Sequence, residues 1–322
     1  MKKSKRKLRV GVVGTGYLGK FHAEKYARMD NVNLVGIADI NKTQANKIAE
    51  KYSVNAYTNH KNMLDKVDAV SIAVPTPAHY KVSRDFLEHD VDVLIEKPMT
   101  TTLKEADKLI QLAETRNLII QVGHLERFNP AVIALHKYVK KPMFIESHRL
   151  STYKERATDV SVVLDLMIHD IDIISNFVRS KISSINAAGI PVISGHVDIA
   201  NARIEFENGC VANVTASRVS TRDERKIRLF QKNAYISVDF ANREITIIKQ
   251  SDRDENSIIP KMGINQLCFT KADALDDELK SFVNAATMRQ EPEVNGHVGR
   301  SALNVALSIM KQIHKRNKSY FT

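Results

Sequence analysis

The six residues Gly14-Thr15-Gly16-Tyr17-Leu18-Gly19 constrain this chain most, because three glycines at fixed offsets demand backbone that other residues do not supply. They follow the apolar run Leu8 to Val13 and precede the helix-like His22 to Ala27, so the segment reads as strand, tight turn and helix. Each glycine then has its own reason. Gly14 lets the chain turn, Gly16 lets backbone approach a pyrophosphate, and Gly19 lets the helix pack on the strand. The helix N-terminus offers free N–H groups to phosphates, with Thr15, Tyr17 and Leu18 in the same turn. A glycine-rich turn by itself also suits an ordinary loop. Here a second apolar run, Val32 to Ala38, ends at Asp39, about 20 residues past Gly19, where a dinucleotide fold places its ribose-binding acid. A carboxylate there accepts hydrogen bonds from ribose hydroxyls and repels a 2′-phosphate, so NAD is expected over NADP, with Lys42 as a nearby counter-influence. The plain alternative for Asp39 is a helix N-cap in Asp39-Ile40-Asn41-Lys42.

The 322 residues exceed the ~250–300 at which single cores stop growing, so two domains are expected. No apolar run approaches the ~20 residues that span a bilayer, and the basic start Met1 to Lys7 leads into a strand rather than a signal-peptide core. A soluble cytoplasmic protein is the expectation. Cys210 and Cys268 have neither CxxC spacing nor a partner cluster, which suggests neither a metal site nor a disulfide framework. The net charge of +11 admits nucleic acid, an anionic surface or an anionic small molecule. Six basic residues lie between Lys2 and Arg9, as in a solvated tail, and no stripe of interleaved basic and aromatic residues follows. A phosphorylated small molecule fits the surplus at least as well.

Strands and helices alternate as far as a sixth strand, Leu118 to Val122, which implies a doubly wound parallel sheet with its ligand at the strands' carboxyl ends. Asp39, the Pro75-Thr76-Pro77-Ala78-His79 segment and Glu96-Lys97-Pro98 all fall at such ends. Residues 1–122 are therefore expected to form a Rossmann domain. From 123 to 322 the pattern changes. A helix near Pro130 to Val139, a strand Met143 to Leu150 and one strong helix from about Asp159 to Val178 precede six consecutive strand-like runs between Ile182 and Lys249. Such a run predicts a largely antiparallel sheet with one open face, in an α/β substrate-binding and oligomerisation domain. Helices at about 274–287 and 296–315 close the chain, the second expected to pack back on the first domain.

Three pieces now stand in order: the glycine turn with Asp39, Glu96-Lys97-Pro98, and Asp165-Leu166-Met167-Ile168-His169-Asp170-Ile171-Asp172. Together they resemble the Gfo/Idh/MocA family of NAD(P)-dependent sugar and cyclitol dehydrogenases, along essentially the whole chain. Many members carry a glycine-rich lead-in before the helix aspartate, where this chain has Val160-Ser161-Val162-Val163-Leu164. That departure, with Gly123-His124-Leu125-Glu126-Arg127-Phe128-Asn129-Pro130, resembles the subgroup of UDP-N-acetylglucosamine 3-dehydrogenases. The resemblance implies oxidation of a sugar 3-hydroxyl to a ketone, coupled to an aminotransferase, on the way to lipid A in some bacteria. Oxidation of a free sugar or inositol is the neighbouring reading. A silent dinucleotide-binding regulator is another, though it would have no need of Lys97 and His169.

On a regular helix Asp165, His169 and Asp172, at i, i+4 and i+7, share one face. Oxidising an alcohol with NAD requires a base for the hydroxyl proton, and a histidine suits this near neutral pH. His169 is the expected base, Asp165 or Asp172 its orienting partner, and Lys97 the donor that stabilises the developing alkoxide. Solvated or capping groups are the plain alternative for the helix residues, and a surface lysine before a turn is the alternative for Lys97. The apolar surroundings from Val162 to Ile173 argue for buried polar groups with partners. Pro75, Thr76, His79 and Glu96 are expected at the cofactor. His124, Glu126 and Tyr153 are expected near the substrate, with hinge support or an ordinary core role as alternatives. Arg127, Arg149, Lys154 and Arg156 are candidates to pair with a diphosphate, against ordinary surface charge. The open sheet face suggests a homodimer or homotetramer.

Overall fold

Why the two halves of this chain need different architectures is visible in their strands. The strands at Leu8–Val13, Ala69–Ile72, Asp92–Glu96 and Ile120–Gly123 are buried along most or all of their length, as strands covered on both faces must be, whereas later ones such as Ile199–Phe206 alternate between buried and more exposed residues. The computed structural model describes residues 6–153, 160–250, 262–270 and 272–318; Lys154 and Arg156 lie outside the described residues.

In chain order the elements are β1 (Leu8–Val13), α1 (Gly19–Arg28), β2 (Val32–Ala38), α2 (Lys42–Tyr52), β3 (Asn55–Tyr57), β4 (Ala69–Ile72), α3 (Thr76–Leu87), β5 (Asp92–Glu96), α4 (Leu103–Arg116) and β6 (Ile120–Gly123). There follow α5 (Pro130–Tyr138), β7 (Pro142–Leu150), a π turn (Val163–Met167) running into α6 (Ile168–Val178), and the strands β8 (Ile182–Ile190), β9 (Ile199–Phe206), β10 (Val211–Ser217) and β11 (Glu224–Gln231). The chain continues through β12 (Ala234–Asp239), β13 (Glu244–Gln250) and β14 (Met262–Cys268) to α7 (Ala274–Met288) and α8 (Gly296–Lys318). They form two compact units, Met1–Leu125 with Ala274–Ser301, and Glu126–Asp273 with Ala302–Thr322.

The first unit is a Rossmann fold, a six-stranded parallel sheet of order β3-β2-β1-β4-β5-β6. This order reverses between β1 and β4, the switch point where such sheets bind ligands beyond their carboxyl ends. Its core joins Val10, Val12 and Leu94 of the sheet to Ala23 and Tyr26 of α1 and to Leu279, Phe282, Val283 and Ala286 of α7. Here the structure differs from the sequence expectation, which returned only the last helix to the first domain. All of α7 and residues 296–301 belong to the first unit, and from Ala302 the last helix joins the second unit, with Val305, Ala306, Ile309 and Ile313 in that unit's core. The period of α7 shows that it has one apolar face, and periodicity does not say which sheet that face covers.

The second unit is built on a mixed, mostly antiparallel sheet of order β14-β13-β12-β11-β7-β10-β9-β8, in which only β7 and β10 run parallel. Ala200, Ala202, Ala212 and Ala216 on β9 and β10 share one core with Ile168, Ile171 and Ile174 of α6, and side chains this small let a helix lie close to its sheet. β14 was not expected from the sequence, because Met262-Gly263-Ile264-Asn265-Gln266 has little apolar alternation. It sits at the sheet edge, mostly exposed, where little apolar pattern is needed. The long helix expected before Val178 is not uniform: residues 163–167 form a π turn, so Asp165 and His169 do not keep the angular spacing of a regular helix.

Candidate active site

In the first unit the three glycines separate by what a side chain would meet. Gly14 has φ +85°, and a Cβ there would lie 2.6 Å from the Ala73 carbonyl oxygen; at Gly19 it would lie 1.8 Å from the Gly14 oxygen. Those two are glycine because the turn itself admits nothing else. At Gly16 an added Cβ meets nothing within 4 Å. The turn does not require glycine there, and its bare backbone leaves open space before the N-terminus of α1. That N-terminus has no side-chain cap and no acid in its first turn, so its N–H groups suit an anion.

Asp39 stands at the tip of β2 with its carboxylate already oriented. One oxygen accepts the Thr15 N–H at 2.7 Å and the Thr15 hydroxyl at 2.8 Å, and the other accepts the Asn41 N–H at 2.9 Å. Asn41, not Asp39, caps α2, accepting from the Gln44 N–H. Thr15 is itself fully buried and its carbonyl accepts from Gln44, so it shapes the turn from within. Tyr17 is exposed, edge-on to Phe21. A cavity of about 760 Å³ opens here, lined by Gly14, Gly16, Asp39, Ile40, His60 and Pro75 among others. An uncapped helix end, an open backbone at Gly16 and a fixed carboxylate at the second strand fit a dinucleotide. The lining by Thr58, Asn59 and His60 was not found from sequence, since a short polar loop after a three-residue strand carries no motif.

The neighbouring strand tip holds Glu96 and Lys97. Glu96 is buried, 3.0 Å from Nε2 of His22 on α1, and faces Gly123 across the β5–β6 pair; a Cβ on Gly123 would come within 3.0 Å of its carboxylate. Burial alone raises this carboxyl, but His22, Lys97 and His79 outweigh it and hold it below the ordinary value. Glu96 is thus an internal anion beside Lys97, and Lys97 is half-buried. His79, expected at the cofactor, is turned inward. It is buried, with one ring nitrogen 2.9 Å from the Pro98 oxygen and the other 2.8 Å from the Val74 oxygen, so the ring sits between the two turns and its neutral form donates to one of these carbonyls. Burial pushes its pKa down. His22 and Glu278, both wholly buried, were missed. A histidine on the apolar face of α1 was the one available signal for His22, and nothing in sequence ties α7 to this sheet.

In the second unit the expected helix face is half realised. Asp165 and His169 are half-buried, on the π turn and the first turn of α6. Asp172 is committed elsewhere, accepting from Arg127 Nε at 2.6 Å and Nη2 at 2.9 Å. Arg149 in turn donates to both oxygens of Asp170 at 2.9 Å and to Glu126 at 2.9 Å. Arg127 and Arg149 are only 7% and 3% exposed, so the diphosphate role expected for them gives way to internal ion pairing, and Asp172 is not at hand to orient His169. Burial opposes charge on Glu126, yet Arg149 holds its pKa below the ordinary value, and the same carboxylates raise that of Arg149. These pairs bind α6 to β7 and to the turn at Leu125–Phe128. His124 is buried, whereas Tyr153 is 40% exposed. Among the described residues no group of three or more His, Cys, Asp or Glu side chains is gathered as for a metal ion, and no helix is long and apolar enough to cross a membrane.

Two family models match the chain. The family model described as "Oxidoreductase family, NAD-binding Rossmann fold" matches residues 8–124, and the GFO/IDH/MocA C-terminal domain matches 132–237. The chain is 35% identical over 303 residues to a UDP-N-acetylglucosamine 3-dehydrogenase of Acidithiobacillus ferrooxidans, covering 94% of this chain and 96% of that one. A solved structure of the enzyme of that name from the same organism superposes with a TM-score of 0.91, covering 95% and 97% of the two chains at 35% identity. A myo-inositol 2-dehydrogenase of Thermotoga maritima is 24% identical, covering 96% and 97%. The fold is also shared with a scyllo-inositol dehydrogenase of Lactobacillus casei solved with bound NAD(H), at 19% identity and a TM-score of 0.79, covering 97% and 98%.

Proposed function

This chain belongs to the Gfo/Idh/MocA family of NAD-binding oxidoreductases, dehydrogenases that act on hydroxyl groups, and from that premise we propose that it oxidises the 3-hydroxyl of UDP-N-acetylglucosamine to the ketone. The observation that carries the substrate is the 35% identity, sustained along 94% of the chain, to an enzyme of that activity, against 24% for an inositol dehydrogenase. Bound NAD supplies the hydride acceptor. Asp39, with its carboxylate preset by Thr15 and Asn41, takes the adenosine ribose hydroxyls and disfavours a 2′-phosphate. His169 removes the hydroxyl proton as the hydride leaves carbon, and Asp165 orients it. Lys97 donates to the same oxygen, its positive charge supported by the buried Glu96 anion behind it.

The 3-keto sugar is then a substrate for an aminotransferase. The open face of the second sheet, where Phe144, Phe230 and Tyr235 touch in a row, supports self-association as a dimer or tetramer, measurable by light scattering. The deciding experiment offers the protein and NAD four substrates: UDP-N-acetylglucosamine, N-acetylglucosamine, glucose and myo-inositol. NADH is followed at 340 nm, with mass spectrometry for loss of two hydrogens and an aminotransferase with amino donor present to draw the ketone forward. Turnover of the nucleotide sugar alone is expected. Preferential oxidation of a free sugar or of inositol refutes the proposal.

A further inference from the structure

With Arg127 and Arg149 both spent on internal carboxylates, a diphosphate on the substrate needs a different partner, and among the described residues strand β11 carries a cation placed for it. Its residues alternate: Arg225, Ile227 and Leu229 share the face that α6 covers, while Lys226, Arg228 and Phe230 face the other way. The other cations of this stretch have partners. Arg222 lies 3.2 Å from Glu224, Lys226 3.5 Å from Asp239 and Arg228 3.5 Å from Glu146. Arg225 is exposed and, among the described residues, has no carboxylate within ion-pairing distance.

Its position is also unusual. In the β7–β11 register Arg225 stands directly opposite Arg149, and like charges facing each other across a strand pair are destabilising. Arg149 is neutralised by Asp170 and Glu126, and Arg225 reaches only as far as a through-space influence on Glu126. Asp170 directly follows His169, so Arg225 is one strand away from the arginine that grips the base-bearing helix. The same rim carries Tyr153: the Thr152 N–H donates to Asp223 at 2.9 Å, which fixes the segment after β7 beside the start of β11. A solvent-open guanidinium on the covered side of the sheet, beside an arginine already neutralised by its own carboxylates, is placed to meet an anionic ligand.

We propose that Arg225 is the specificity-determining residue that receives the diphosphate of a nucleotide-linked sugar in the second unit. The assignment rests on the substrate reading above. A guanidinium fork can bind two phosphate oxygens at once, and hydrogen bonds to charged groups contribute enough to change affinity about 10–100-fold.

The test uses the NAD-loaded full chain with UDP as the titrant in calorimetry, and UDP-N-acetylglucosamine as the substrate in kinetics. Arg225→Gln is expected to weaken UDP binding and raise KM by about 10–100-fold while kcat at saturation and NAD affinity stay within about 3-fold. Arg225→Lys should fall between, since it keeps the charge and loses the fork. Arg222→Gln, three residues earlier and with its own carboxylate partner, should change neither. Unaltered UDP affinity and KM in Arg225→Gln overturn the assignment, as does an equal loss in Arg222→Gln, which would mark a general charge effect. If the unaltered protein binds no UDP and oxidises no UDP-sugar, the substrate reading itself falls and this assignment with it; if it oxidises the UDP-sugar and Arg225→Gln keeps its KM, only the assignment falls.

Discussion

Glu278 is the most testable anomaly in the first unit. Its side chain is wholly buried and, among the described residues, neither carboxylate oxygen has a hydrogen-bond partner. Only its main-chain carbonyl is used, accepting from Gln121 Nε2 at 2.9 Å. Burial, and then the negative charge of Glu96, push its pKa well above the ordinary 4.5. The folded protein therefore holds Glu278 protonated at a pH where the unfolded chain has released the proton. A carboxyl raised in this way leaves stability intact below pH 4.5 and removes it progressively as the pH climbs towards the folded value.

Replacing Glu278 by Gln keeps the shape and removes the titration. Each pH unit over which the folded protein keeps a proton that the unfolded chain has lost costs the unaltered protein up to about 1.4 kcal/mol, so the variant gains on it as the pH rises from 5. At roughly 2–4 °C per kcal/mol for a unit of this size, each such pH unit widens the gap in Tm by up to about 3–6 °C. Differential scanning calorimetry at half-unit pH steps, with the NAD-free protein, reads it. The amide of the variant also lacks partners, so its offset at pH 5 carries no weight and the widening is the signal. A Tm difference that stays constant from pH 5 to pH 7 would show Glu278 ionised in the folded state and refute the reasoning.

Asp39→Ala should weaken NAD and narrow its advantage over NADP, read by fluorescence titration of the reduced cofactors; tighter NADPH than NADH binding by the unaltered protein would sink the ribose role of Asp39. His169→Ala and Lys97→Ala should each lower kcat by about 10²-fold or more with NAD affinity nearly unchanged, and combine to less than the product of their separate effects if they act on one hydroxyl. Near-normal turnover in either names the wrong residue. Gly16→Ala should melt like the unaltered protein, since its Cβ meets nothing, yet lose NAD affinity at least 10-fold, whereas Gly19→Ala should lose stability because its Cβ lands on the Gly14 oxygen. Equal NAD affinity in Gly16→Ala would show that the pyrophosphate does not approach there.

The legible parts of this chain are those in which one residue type answers one local demand. The glycine turn, Asp39 at a strand tip and the alternation of buried strands with amphipathic helices are read directly from order along the chain, and the six parallel strands and the mixed second sheet follow. What sequence did not disclose is partnership. Arg127, Arg149 and Asp172 look like site residues because charge in an apolar stretch suggests function, and the same physics allows a second outcome: buried charges that answer each other. The choice between the two depends on which strand β7 faces and on the π turn that resets the phase before His169, neither of which leaves a mark in a helical pattern. His22, Glu96 and Glu278 make the same point from the other direction. They are distant in sequence, and only the packing of α7 beside α1 makes one buried electrostatic cluster of them. Every internal pair removes a cation from the set that can meet an anionic substrate, and with Arg127 and Arg149 so paired, Arg225, exposed and facing Arg149, is the described arginine on which recognition of a diphosphate is to be tested.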